Sequence, residues 1–313
     1  MKSKFLTAVC VSALSCLYAL SAPKTQHAWN VTMRVVDESG QPIPGAEACV
    51  GYYVAPGPGE SIAGARRCGL TDTNGAFVAS GWEDSVLLNL VARKDGFYTT
   101  RLEYELGLPY EYNPVRWNPK LTLVLKKVMH PVPMYVSKVR RDIPDRGKPI
   151  GLDLMEGDWV EPYGKGKVSD LVFNLTVTGN FPRDFESKLI ISFSNRGDGI
   201  QEFDLSLPRD QGSELKSTHE APADGYQAQL VRGYGRHPGQ TGVLAYDNRR
   251  NYFVRIRTVL DQSGGVKSAL YGKLYGDFDS FWAYVNPVPN SRNLEFDGKH
   301  TLGRGGNLGS PMY

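Results

Sequence analysis

The chain has little of what helical, metal-binding or membrane-spanning proteins need. Its 313 residues hold no long stretch of strong helix formers, while Gly (34) and Pro (20) are frequent and aromatics make up 11%. That composition suits short strands joined by turns, so an all-β class is expected. Beyond the N-terminus, no apolar run reaches the roughly 20 residues that a spanning helix requires. The five histidines, His27, His130, His219, His237 and His300, lie far apart, without the paired spacing of a transition-metal site. Neither Asp72-Thr73-Asn74-Gly75 nor Asp277-Phe278-Asp279 extends into a calcium loop. There is no nucleophile elbow, Walker loop or dinucleotide fingerprint, so neither cofactor nor metal is expected. Gly164-Lys165-Gly166-Lys167 lacks the flanking strand and helix of a phosphate loop and reads as a solvated turn. Arg196-Gly197-Asp198 spells an adhesion tripeptide, but its glycine suits a turn, which is the reading taken.

Met1 to Ala22 read as a secretory signal. Lys2 and Lys4 open it, Phe5 to Leu20 supply the apolar stretch, and Ala19, Ser21 and Ala22 offer small residues for cleavage. Cys16 follows Ala13-Leu14-Ser15, close to a lipobox but with Ala13 where Leu is usual, so lipid anchoring is the alternative to plain release. Either way the mature chain is expected to be secreted, periplasmic or held at the cell surface, with no transmembrane segment. Losing Lys2 and Lys4 but no acid, its formal charge falls from +3 to +1. A near-neutral chain offers no general attraction to nucleic acid. Of four cysteines, Cys49 and Cys68 alone lie beyond the signal. In an oxidising compartment they are expected to form a disulfide, the alternative being two free thiols.

From Trp29 the chain alternates, with Trp29, Val31, Met33 and Val35 on one face and Asn30, Thr32 and Arg34 on the other, as in a half-buried strand. Further strands are expected through Ala46–Val50, Ala76–Val78 and Val86–Ala92, with Asn74-Gly75 as a hairpin-turn signal. Three motifs carry a family resemblance. They are Val35-Val36-Asp37 with Gly40-Gln41-Pro42-Ile43-Pro44-Gly45-Ala46; Thr71-Asp72-Thr73-Asn74-Gly75-Ala76-Phe77; and Val91-Ala92-Arg93-Lys94-Asp95-Gly96-Phe97. In this order they resemble the carboxypeptidase regulatory-like domains, small Ig-like or transthyretin-like sandwiches, over about residues 29–127. The resemblance implies a scaffold or accessory module and transfers no activity, since such domains accompany many functions.

Between Leu102 and Leu121 the chain departs from that pattern with a long aromatic loop. Tyr104, Tyr110, Tyr112 and Trp117 are the candidate ligand-binding residues, either as flat faces for sugar rings or as a protein hot spot. The plainer reading is that they cover the end of the sandwich. His130-Pro131-Val132-Pro133 reads as a linker or domain entry. Residues 128–286 read as a second β domain, a sandwich or jelly roll, with strands at Leu171–Val177, Leu189–Phe193, Ile200–Leu207, Gly225–Val231, Tyr252–Leu260 and Lys267–Tyr275. Arg255 and Arg257 alternate with Val254 and Ile256 as on a solvated strand face. Residues 287–313 read as an irregular tail. The expected function is a non-catalytic interaction or scaffold protein with a protein partner. A carbohydrate-binding accessory protein with a polysaccharide partner is the alternative, and a hydrolase in the second domain the third reading.

Overall fold

The computed structural model describes residues 28–54, 63–81, 87–107, 113–140, 143–208, 210–239, 250–278 and 280–303. The expected signal, Cys16, Tyr110 and Tyr112 lie outside them. The described chain is all-β apart from one four-residue helical turn.

Seven strands build the first unit: β1 (Trp29–Val36), β2 (Glu47–Val54), β3 (Ala63–Leu70), β4 (Ala76–Gly81), β5 (Leu87–Arg93), β6 (Thr100–Glu105) and, after helix α1 (Pro114–Trp117), β7 (Lys120–Val124). One sheet runs β4-β1-β7, and β6-β5-β2-β3 forms its partner. The alternation of β1 has the expected consequence. Trp29, Val31, Met33 and Val35 are fully buried and pack with Ala48, Val50, Leu88, Leu90 and Ala92 of the facing sheet. Cys49 and Cys68 stand directly opposite on β2 and β3 and are disulfide-bonded.

The turn at Asn74-Gly75 has its expected local chemistry but not its expected partners. The Asp72 carboxylate accepts the N–H groups of Asn74 and Ala76, each at 2.8 Å. Gly75 has φ +70, and a Cβ there would lie 2.4 Å from the Val35 carbonyl oxygen. Yet β3 pairs with β2 while β4 pairs with β1, so the turn arches between two sheets and closes no hairpin. Turn chemistry is local, whereas strand partners are chosen by which apolar faces must meet.

The second unit contains β8 (Val132–Arg140), β9 (Ile150–Asp153), β10 (Asp158–Trp159), β11 (Leu171–Asn180), β12 (Asp184–Ser192), β13 (Gly199–Asp204), β14 (Gly212–Ser213), β15 (Gln229–Arg236), β16 (Arg250–Leu260), β17 (Val266–Tyr275), β18 (Ser280–Val285) and β19 (Phe296–Leu302). A five-stranded sheet, β10-β9-β11-β12-β15, faces a six-stranded one, β13-β16-β17-β18-β8-β19. Between them lies a core that includes Leu152, Leu171, Phe173 and Ile191 opposite Val254, Ile256, Leu274 and Val285. The six-stranded sheet is buried on its other face too, where Met134, Tyr275, Tyr284 and Phe296 cluster.

Of the two readings of His130 to Pro133, linker or domain entry, the structure has the entry: the stretch runs into β8, an interior strand. Its proline is tolerated because the pairing with β19 shifts register between Val132 and Met134, where a missing donor costs no ladder bond. The tail read as irregular contains β19, which pairs parallel to β8 and buries Phe296.

Arg257 ties the two sheets together. It lies where the β16–β17 register shifts, with φ 52 in the left-handed region. The Asp198 carboxylate holds that backbone by accepting the N–H groups of Arg257 at 3.1 Å and Thr258 at 2.8 Å. The guanidinium donates to both oxygens of Asp170, at 2.8 and 3.0 Å, and to Asp153 at 3.0 Å. Asp153 also accepts the N–H groups of Lys167 and Val168. Replacing Arg257 by Leu strands the fully buried Asp170 carboxylate, so urea denaturation is expected to show a loss of about 3 kcal/mol. Replacing Cys49 and Cys68 together by Ala is expected to cost about 3 kcal/mol by the same measurement, for a loop of sequence separation 19.

Candidate functional site

A cluster of ionisable side chains lies where the two units meet. Glu295 precedes β19 in a turn whose backbone is held from three sides. Asn293 accepts its N–H at 2.9 Å, its carbonyl accepts the Val132 N–H, and the neighbouring Leu294 N–H donates to the His219 carbonyl, both at 2.8 Å. The side chain is only 2% exposed. Its Oε2 accepts the Tyr98 hydroxyl and the Met129 N–H, each at 2.9 Å. Its Oε1 meets His219 Nδ1 at 2.7 Å, and His219 Nε2 reaches Glu38 Oε2 at 3.0 Å. Both contacts are hydrogen bonds donated by the ring only when each nitrogen carries a proton.

Around this cluster the first unit receives further anchors from the second. Strand β14 pairs with β6 through Gly212 opposite Arg101 and Ser213 opposite Thr100, adding itself to the first unit's sheet. Arg101 donates to Glu214 at 3.0 Å, and Lys126 donates to the Ser217 carbonyl at 2.7 Å. Beneath the junction Lys273 is fully buried, its Nζ 5.2 and 5.3 Å from the rings of Tyr275 and Tyr284 and without a hydrogen-bond partner. Burial pushes the Lys273 amine down to about 7, with Lys126 adding to the shift and Glu295 opposing it. The two rings offset part of the desolvation of its charged form.

The chemistry of the cluster is that of a clamp. His219 stands between two carboxylates, so a proton on either ring nitrogen is held by a carboxylate of the cluster. The Tyr98 phenol is pushed far above its ordinary value, first by burial and then by its bond to Glu295, so it stays a donor.

Of the aromatic residues singled out in the sequence, Tyr104 and Trp117 lie elsewhere, and Tyr110 and Tyr112 fall outside the described residues. Trp117 is fully buried in the first core and presents no face for stacking. Asn113 brings this about by capping α1. Its side chain accepts the N–H groups of Val115 at 2.9 Å and Arg116 at 3.3 Å, with Pro114 at the first helical position. Tyr104 is half-buried against the same core. Arg255 and Arg257 are not a solvated face either, since Arg255 covers the Tyr226 ring at 4.9 Å and donates to the Gly197 carbonyl. Asp198 of the adhesion-like tripeptide is buried and spent on β16, and the N–H groups of Lys165 and Lys167 point at Asp158 and Asp153. Among the described residues, the one grouping with metal-ligand atoms in reach is Glu47, Cys49 and Cys68, whose sulfurs are consumed by the disulfide.

Sequence reasoning missed Tyr98, His219 and Glu295, because single hydrogen bonds of the cluster join residues up to 197 positions apart. The only local signal is that Asn293 precedes Glu295 at the spacing of a side-chain-capped turn.

What the fold defines is a class, an all-β protein of packed sandwiches. No protein family model and no curated protein matches the chain. Among solved structures it is similar to a 3-chlorocatechol 1,2-dioxygenase from Rhodococcus opacus, at 12% identity and TM-score 0.26 over 34% of this chain. It spans 62% of that enzyme's length. It is also similar to the shaft pilin SpaA of Lactobacillus rhamnosus GG, at 11% identity and TM-score 0.23, over 80% of this chain and 94% of the pilin. A DUF3823 family protein from Parabacteroides merdae aligns at 12% identity and TM-score 0.21, over 83% of this chain and 96% of that one. Likeness this slight transfers no activity. Among the described residues no helix is long and apolar enough to cross a membrane.

The cluster should respond to acid in a predictable direction. Burial alone would raise the Glu295 pKa, but the donors Met129, His219 and Tyr98 outweigh it and hold the carboxyl below its usual range. A folded pKa below the unfolded one contributes stability that is present above the ordinary glutamate value, about 4.3, and lost as pH falls through the folded value. Glu295→Gln is expected to cost about 2 kcal/mol at neutral pH. Thermal unfolding is expected to show the wild type losing more stability than the variant between neutral pH and about pH 3; parallel profiles would remove Glu295 from this role.

Proposed function

We propose that this is an exported, non-catalytic interaction or scaffold protein of the cell surface, with a carboxypeptidase-regulatory-like first unit and another protein as its partner. The observation that carries this reading is the junction. A strand of the second unit is added to a sheet of the first, and the buried Glu295 carboxylate binds groups from both. Units joined in this way hold their outer faces in a constant relation, as a structural module requires. His219 supports the same reading, because both its nitrogens are engaged by carboxylates.

One observation favours a polysaccharide partner as a second reading. At the end of the β11–β12 hairpin, Phe181 is 58% exposed and stands edge-on to Phe185 at 4.7 Å, with Tyr234 beyond at 5.3 Å. Arg146 and Arg236 line the same cleft. Aromatic faces beside polar donors suit a sugar ring.

Sedimentation velocity and cross-linking of the mature chain, together with retention on a polysaccharide panel, separate the two. The first reading expects self-association or a saturable complex with a surface protein and no glycan retention. Glycan retention abolished by Phe181→Ala, with folding unchanged, would decide for the second.

A further inference from the structure

Between β6, β7 and residues 204–207 and 211–216 lies a cavity of about 320 Å³. Leu102, Leu123, Val124, Leu205, Leu207 and Leu215 give it an aliphatic part. Among the described residues, three cations, Arg101, Lys126 and Lys216, line it against a single acid, Asp204. Glu214 answers Arg101, but among the described residues neither lysine has an ion pair. Each donates instead to a backbone carbonyl at 2.7 Å, Lys126 to Ser217 and Lys216 to Gln211. An ammonium carries three donors, so two are left on each.

This arrangement is costly as it stands. Burial, then the repulsion of Arg101 and to a lesser degree Lys126, pushes the Lys216 amine down to about 8, against the opposing pull of Asp210 and Glu214. Burial likewise lowers Lys126, against Glu38. Neighbouring cations in a partly dry cavity gain most from an anion placed among them. No aromatic ring lines the cavity to stack a sugar, and its volume is at the small end of ligand pockets.

We propose that this cavity binds a small aliphatic carboxylate, its carboxyl group set between Lys126 and Lys216 and its hydrocarbon body against the leucines. Such a group comes either from a free branched-chain acid or from the C-terminus of a peptide ending in an aliphatic residue. The cavity is lined by the same β6–β14 junction that carries the scaffold reading, but no protein partner is needed to fill it.

Isothermal titration of the mature chain with 4-methylpentanoate, with the dipeptide Gly-Leu and with its C-terminal amide tests the assignment. Saturable binding of a carboxylate is expected at neutral pH. It should weaken about tenfold or more well above pH 8, where Lys216 has lost its proton, and by a similar factor in Lys216→Met. Gly-Leu binding tighter than the free acid assigns the site to a peptide terminus, and the reverse order assigns it to a free acid. No saturable binding of either carboxylate, amide binding as tight as Gly-Leu, or indifference to Lys216→Met would overturn the proposal. Should Lys216→Met fail to fold, the Lys216 titration followed by NMR in the wild type decides, because a bound carboxylate must raise its pKa and an unmoved pKa sinks the idea.

Discussion

A carboxylate that is almost wholly shielded from water must find its hydrogen bonds inside the protein, and Glu295 draws them from distant parts of the chain. Tyr98 and Met129 flank the last strand of the first unit, His219 lies in the segment covering the six-stranded sheet, and through His219 the cluster reaches Glu38 beside β1. Each donor satisfies a charge that would otherwise destabilise the fold, and each is thereby fixed in place. The meeting of the two units is thus set by a few directional bonds around one buried group, reinforced by the two-residue addition of β14 to β6.

The six-stranded sheet explains why that group can be buried at all. One face packs on the five-stranded sheet, while the other is roofed by the chain around Ala221 and Leu294 and by the aromatic cluster of Tyr275, Tyr284 and Phe296. Strands buried on both faces cannot show a polar and an apolar side in alternation. Lys273 lies in this second layer, its charge offset by ring faces, and Tyr275 accepts the Ser217 N–H at 3.0 Å. The polar groups of the junction therefore rest on a dry aromatic floor, where each hydrogen bond is stronger and each unpaired group more costly than in water.

Legibility followed the same physics. Strands β1 and β11 are exposed on one face, and their alternation could be read residue by residue from Trp29 and from Leu171. Strand β18 is buried on both faces, and β8 and β19 carry a proline and a register shift, so no period-two signal marked them. The cystine was anticipated by counting, since only Cys49 and Cys68 lie beyond the N-terminal apolar stretch. The aromatic loop left two readings open because exposure is a tertiary property. Asn113-Pro114 starts a helical turn that carries Trp117 inward, and sequence spacing does not tell a plug from a platform.

The sequence by itself determined the all-β class, the inward and outward faces of the amphipathic strands, the turn chemistry at Asp72–Gly75 and the pairing of its two late cysteines, because each depends on near neighbours or on composition. Only the tertiary structure decided that this turn joins two sheets, that Arg257 is an internal tie, and that Glu295, His219, Tyr98 and Glu38 form one cluster. It also decided that Arg101, Lys126, Lys216 and Ser213 share one cavity. These depend on contacts between residues far apart in the chain, where partners are selected by the burial of apolar faces and the need to satisfy buried charge.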